Sequence, residues 1–516
     1  MANHSIGRRE FLRIGGGLSL LGAGAPFALQ LAAAGQAAGQ SVGDYKALVC
    51  IFLLGGNDAH NLLLATDADS WGRYFAARNT GVEPIALMPV GTAPTPVGQV
   101  SPVTGRTATA KSPEAWGGVL PIVPNTPNPV PAGTSAGSRT FALHPFMGPV
   151  QSLFNSGRLA AVANVGTLVQ PITKAQFQAR TVPYPVNLFS HNDQQSTWQA
   201  GAVEGARTGW GGRMGDMLVG LNGTSSLFTA ISTAGNAVFL SGNSVVQYQV
   251  STGAQPAIAI NGANGSSLFG SSSAPGLIKA MIQDTSAASL LMDDYATVNA
   301  RSISAASTIN TAFTQSAVTG VAAPPAFTNP ITGIVETNSL AVQLQAVARM
   351  IAAGPSLGLR RQVFFVSLGG WDTHDYQNTN QPNLLTKVAE SLAYFDSALS
   401  NIGGADLRSS VVTFTASDFN RTFTTNGDGT DHAWGSHHLV MGGAVNGRNI
   451  YGQYPTLGMD LGSFRNPDMA GAALVPTTSV DQYAATLGRW FGVSDTDLLT
   501  IFPNLHNFSP RYLGFL

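Results

Sequence analysis

Four apolar runs, each closing on small or polar residues, limit what this chain can become: KALVCIFLLGG (46–56), GRLAAVANVG (157–166), RQVFFVSLGG (361–370) and SSVVTFTASD (409–418). Each is dominated by apolar residues, so each reads as a strand covered on both faces. HLVMGGAV (438–445) is a shorter run of the same kind. Between them lie patterns of helical period. ETNSLAVQLQAVARMIAAG (336–354) sets Leu340, Leu344, Val347 and Ile351 on one face, with Gly354 to close it. NLLTKVAESLAYFDSALSNIGG (383–404) does the same with Leu384, Val388, Leu392 and Phe395. SVDQYAATLGRWFG (479–492) opens with Ser479 and Gln482 in capping-box spacing. Strands buried on both faces and alternating with helices predict an α/β fold, a mainly parallel sheet with helices on either side.

Two stretches depart from this rhythm. Residues 82–140 are dense in Pro, Gly, Thr and Ser and are expected as an insertion loop. Residues 222–275 are rich in Gly, Ser, Asn and Ala, with short β-like pieces such as SLFTAISTAG and AVFLSG. A β-rich insertion or lid is expected there, and its composition also suits a sugar- or polymer-binding surface. SAVTGVAAPPAFTNPITG (316–333) reads as a linker. Charged residues make up only 10% and the formal net charge is -1, against roughly 25% charged in an ordinary soluble protein. A nucleic-acid partner, which calls for a basic face, is therefore excluded.

The first residues supply an address. Arg8 and Arg9 precede Phe11-Leu12, a Gly/Ala/Leu stretch follows, and small residues gather at Ala32–Ala34. That order is expected of a twin-arginine export signal over 1–34, leaving 35–516 as the mature unit. The destination would be the periplasm or the exterior, and the twin-arginine machinery the first partner. The stretch is too glycine-rich and short for a stable membrane span, and no later run is long enough. Cys50 is the single cysteine, so an intramolecular disulfide and any cysteine-rich metal site are excluded.

Ligands of open parallel sheets gather where strands end and loops begin, and the reactive residues fall at such ends. LLGGNDAHNLL (53–63) carries Asp58; GGWDTHDYQ (369–377) carries Asp372 and His374; ASDFNRT (416–422) carries Asp418 and Arg421. GTDHAWGSHH (429–438) then spends His432, His437 and His438, three of only nine histidines, beside Asp431. Each segment has an ordinary reading: Asp58 as a turn residue, Asp372-Thr-His374 as a capping loop, Asp418 with Arg421 as an ion pair. Taken together, carboxylates repeated around one cleft would repel unless a cation balanced them. Imidazole and carboxylate are donors for Zn, Mn, Fe or Ca. One or two such divalent ions are expected.

The order of LLGGNDAHN, GGWDTHD, SDFNRT, GTDHAWGSHHLVMGGAV, IYGQYP and LGRWFGV…FPNL behind a twin-arginine start resembles the bacterial exported domain-of-unknown-function family 1501. That family is identified as a member of the alkaline phosphatase-like superfamily, with its sulfatases and phosphatases. The resemblance implies a three-layer α/β/α sandwich with loop and β insertions and a two-metal cleft. It implies Asp58 and Asp418 at one metal, and Asp372, His374 and either His437 or His438 at the other. Two departures stand out: Asp418-Phe419 replaces an Asp-His pair, and Asp372-Thr-His374 shortens an Asp-x-x-x-His. Asp431-His432 is the candidate to make good the first. PVNLFSHNDQQSTWQAG (185–201) resembles the segment where a nucleophile opens a helix, which points to Ser190, with Ser196 and Thr197 behind it. Arg421 is the candidate anion clamp. The function implied is hydrolysis of a phosphate or sulfate ester, small or polymer-borne. The alternative is a catalytically inactive exported binding or assembly protein on the same fold.

Overall fold

A computed structural model describes residues 45–516 apart from 131–136, 254–255, 258–261, 264–265 and 286–288; the expected export signal lies outside the described residues. The sheet strands, in chain order, are β1 (Lys46–Leu54), β2 (Leu159–Gly166), β3 (Ala230–Ser232), β4 (Tyr248–Gln249), β5 (Arg361–Gly369), β6 (Val411–Ser417), β7 (Ser436–Met441), β8 (Ile450–Tyr451) and β9 (Thr478–Ser479). They form one sheet in the order β8-β2-β7-β6-β1-β5-β3-β4, with β9 on β2. All neighbours run parallel except β7, which is antiparallel to both β6 and β2. The chain is thus a mixed α/β structure with a large, mostly parallel sheet.

The continuous apolar runs follow from helices on both faces. Along β1, Ala47, Val49, Ile51 and Leu53 enter one core cluster, and Leu48, Cys50 and Phe52 enter the other. Every second residue of a strand turns to the same face, so a run without polar residues is what burial on both sides requires. The first cluster is completed by helices at Gly148–Asn155, Ser339–Ala353 and Gln377–Leu399, the second by helices at Trp210–Leu218 and Val480–Phe491. The helix at Val480–Phe491 opens with the expected capping box between Ser479 and Gln482.

Three expectations need correction. The helix expected over 383–404 runs from Gln377 to Leu399 with Pro382 inside it; the early start places Gln377 where it donates to Asp58. Residues 82–140 are not a mere surface loop: Leu120–Ile122 pairs with Phe141–Leu143, which also pairs with Leu63–Ala65, in a three-stranded antiparallel sheet, and Ile85–Met88 are buried completely. These apolar pieces are only three or four residues long, too short to register as periodicity. The described residues of 222–275 form no separate β-rich unit. Their two short strands, β3 and β4, extend the main sheet beyond β5.

Candidate metal centre

β6, β1 and β5 lie side by side, and their carboxyl ends release the loops that carry Asp418, Gly55 and Asp372. Because β7 is antiparallel, it begins at this same edge, and the loop entering it delivers His432. The helix α1 (His191–Ala200) opens over the same edge with His191. Gly55 makes the close approach of these loops feasible: it adopts φ +118, and a Cβ on it would meet the backbone nitrogen of Asp372. Its N–H donates to both carboxylate oxygens of Asp418 at 3.2 Å.

At this edge His191, Asp372 and His432 each offer a ligand atom within 4.8 Å of the others. The hydrogen bonds around them fix which nitrogen faces inward. His191 Nδ1 bonds Asp418 Oδ2 at 2.7 Å, His432 Nδ1 the carbonyl of Phe189 at 2.7 Å, and His374 Nδ1 Asp431 Oδ1 at 3.1 Å. Carboxylates and carbonyls only accept, so all three rings donate through Nδ1 and a neutral ring keeps its lone pair on Nε2. Those three Nε2 atoms converge on one carboxylate. His191 Nε2 lies 3.4 Å from Asp372 Oδ2, while His374 and His432 lie 3.2 and 3.3 Å from Asp372 Oδ1. His374 Nε2 and His432 Nε2 stand 2.9 Å apart. Two lone pairs do not approach so closely unless a proton or a cation lies between them.

The electrostatics are consistent with a built cation site. The Asp418 hydrogen bond and charge, helped by Asp372, raise the His191 pKa against the opposing effect of burial. Burial works to raise the Asp372 pKa, yet its bond to Arg421 and the charges of Arg421, His191 and His374 leave it lowered. Burial lowers the His432 pKa. Asp372 remains 46% exposed, so the cluster opens to solvent.

The expected site residues divide in two. Asp372, His374 and His432 come together, and Asp418 stands behind His191 as its orienting carboxylate rather than among the facing donors. Asp58 is elsewhere: fully buried, it pairs with Arg78 through two bonds, Arg78 Nη1 to Oδ2 at 2.5 Å and Nη2 to Oδ1 at 3.0 Å. Gln377 also donates to it at 2.6 Å. The His60 N–H donates to Oδ1 at 3.1 Å as well, so with two bonds on each oxygen Asp58 does not join the cluster. His437 and His438 also stay out, because consecutive strand residues turn to opposite faces of β7 and both faces here are core. His437 stacks on Tyr454 and accepts from the Asn164 N–H at 3.0 Å; His438 lies against Trp198 and Tyr483. Arg421 is wholly buried and bonded to Asp372 at 2.8 Å, which makes it a positioner of that carboxylate and not an exposed anion clamp. Ser190 caps α1 in position only, since its hydroxyl makes no capping bond. Ser196 and Thr197 spend theirs on the carbonyls of Val203 and Asp193. His191 is the residue that sequence reasoning missed, although it follows Ser190 directly. Phe419 occupies the position expected of a ligand and instead packs its ring 4.8 Å from His191 and 4.5 Å from His432.

A family model described as a protein of unknown function, DUF1501, matches residues 45–501. The chain belongs to the DUF1501 family. No curated protein matches it. The matched span takes in each element that carries the DUF1501 cluster, from the end of β1 to the start of β7.

Burial pushes the pKa values of His437 and His438 down to about 3, and that of His144, remote in sequence from the cluster, likewise to about 3. A histidine whose pKa is depressed on folding adds stability above its unfolded value, near 6.5, and loses it as pH falls toward the folded value. His144 gives the simplest test. Replacing it with Gln should remove about 1.4 kcal/mol of pH-dependent stability between about pH 7.5 and about pH 5.5. Urea unfolding of both proteins at both pH values measures the difference. An equal acid loss in wild type and variant would mean that His144 takes up its proton without unfolding.

Proposed function

We propose that this chain is an exported hydrolase of phosphate or sulfate esters that works with a single divalent ion. The observation that carries the reading is the convergence of three Nδ1-anchored imidazoles on the exposed carboxylate of Asp372. His191, His432 and Asp372 would hold the ion, with His374 as a fourth donor. Three nitrogen donors favour Zn, Fe or Mn over Ca, which prefers a shell of oxygens. Such an ion lowers the pKa of a bound water and polarises the ester oxygen. The commitment of Asp58 to Arg78 argues for one ion rather than the two that the superfamily resemblance implies.

The chain's own groups supply the rest. Asp418 and the Phe189 carbonyl hold the two imidazoles with Nε2 inward, the arrangement in which outer carboxylates and carbonyls sustain a metal ligand. Arg421 keeps Asp372 ionised. Ser190, at the start of α1, lies beside His191 with an uncommitted hydroxyl, and the helix N-terminus favours an anion. Phe419 supports a second reading, that of a binding or assembly protein on the same fold, because an aromatic wall replaces a ligand there.

The deciding experiment exports the protein through its own signal, measures bound metal, and follows p-nitrophenyl phosphate and p-nitrophenyl sulfate before and after chelation and metal return. Turnover that disappears and returns with the metal supports the hydrolase. Stoichiometric metal without turnover of any ester would leave the binding protein.

A further inference from the structure

A cavity of about 380 Å3 lies beside the cluster, at the carboxyl ends of β1 and β5. Its size falls within the range of small-ligand clefts, roughly 300–1,000 Å3. It shares a wall with the candidate centre: Gln195 on α1 lines the cavity and donates through Nε2 to Asp418 at 2.8 Å, the carboxylate that orients His191. Asn192 and Gln199 lie on the same stripe of α1, spaced three and four residues from Gln195. Asn236 and Glu204 also line it. Leu54 and Phe365 contribute apolar surface.

The state of these polar groups is specific. Gln195 has its amide nitrogen on Asp418, which leaves its oxygen as an acceptor. Gln199 has its oxygen taken by the Phe239 N–H at 3.1 Å, which leaves its NH2 as a donor. The Asn236 oxygen accepts from Gln247 and Gln249, which leaves its NH2 as a donor too. Glu204 only accepts, and Asn192 does both. Among the described residues no Lys, Arg or His lines the cavity and Glu204 is its one charged group, so these residues offer nothing to a second anion and Glu204 repels one. Interleaved donors and acceptors above an apolar surface match a group with several hydroxyls, each able to donate and accept, and a C–H face.

We propose that this cavity binds a neutral polyhydroxylated moiety, a sugar or sugar-like polyol, so that the ester hydrolysed at the neighbouring centre is a sugar ester. The assignment of the ester rests on the hydrolase reading; the sugar subsite does not. With the sugar in the cavity, the anionic ester group is directed to the cluster, away from Glu204.

The test is saturation-transfer NMR on the full exported chain with millimolar glucose, galactose and glycerol, and with sodium sulfate as a competitor. Asn192 and Glu204 are both exposed, so Asn192→Ala and Glu204→Gln leave the core untouched. Wild type should saturate a sugar, each variant should bind it roughly tenfold more weakly, and Asp372→Ala and excess sulfate should leave it unchanged. That pattern upholds the subsite even if no ester is turned over. Absence of transfer in wild type, transfer indifferent to both cavity variants, or transfer lost in Asp372→Ala would overturn it.

Discussion

If the proposed metal centre is present, Asp372→Ala is expected to abolish metal binding and any ester hydrolysis while leaving the protein folded. Asp372 is the one carboxylate that all three Nε2 atoms approach, and its side chain is half exposed, so its loss opens no cavity in the core. Without it, His374 and His432 face each other across 2.9 Å and the carboxylate that meets their Nε2 atoms is gone, since Asp431 and Asp418 bond Nδ1 of His374 and His191 instead. Asp418→Asn should act more gently. An amide can still accept from His191 Nδ1, but it removes the charge that raises the basicity of that ring. Outer partners of this kind are worth about 10–100-fold in metal affinity. Metal titration of wild type, Asp418→Asn and Asp372→Ala should therefore give tight, weakened and absent binding in that order. Equal metal content in all three would mean that the convergence of imidazoles has another cause, with a shared proton between His374 and His432 as the first candidate.

How far the sequence reached can be seen in particular residues. The strands at 46–54, 159–166, 361–369 and 411–417 were legible because burial on both faces leaves short, mostly apolar runs, rich in β-branched residues and closed by glycine or polar residues. Asp372, His374 and His432 were legible as well, since each lies in a loop at the carboxyl end of a sheet element or entering one. His437 and His438 misled, although the alternation of β7 holds the reason: they sit inside the strand where both faces are core, while His432 precedes it. Asp58 misled differently. Nothing local announces that Arg78, twenty residues on and at the end of a helix, folds back to claim it. His191 was hidden by the attention that Ser190 drew. The signal available was its place at the first position of a helix whose N-terminus meets the sheet edge, and the orientation of that helix is a tertiary fact.

The second large effect is expected at that buried pair. Arg78→Leu should lower stability by about 3–5 kcal/mol, the cost of leaving one charge of a buried pair without its partner. Both side chains are 0% exposed, so water cannot solvate the carboxylate that remains. Arg78 also donates to the carbonyls of Phe423 at 2.9 Å and Thr422 at 2.8 Å, in the strand-end loop just past Arg421. The pair therefore pins the segment that carries Arg421 against the turn after β1. Combining Arg78→Leu with Asp58→Asn removes both charges and should recover part of the loss, because the two residues are in direct contact and their effects do not add. The decisive comparison is with metal. Asp58→Asn alone should lose stability in urea yet retain full metal stoichiometry, since the cluster does not use Asp58. If Asp58→Asn instead lost metal at unchanged stability, Asp58 would be a ligand as the superfamily resemblance implies. The single-ion reading would then give way to two.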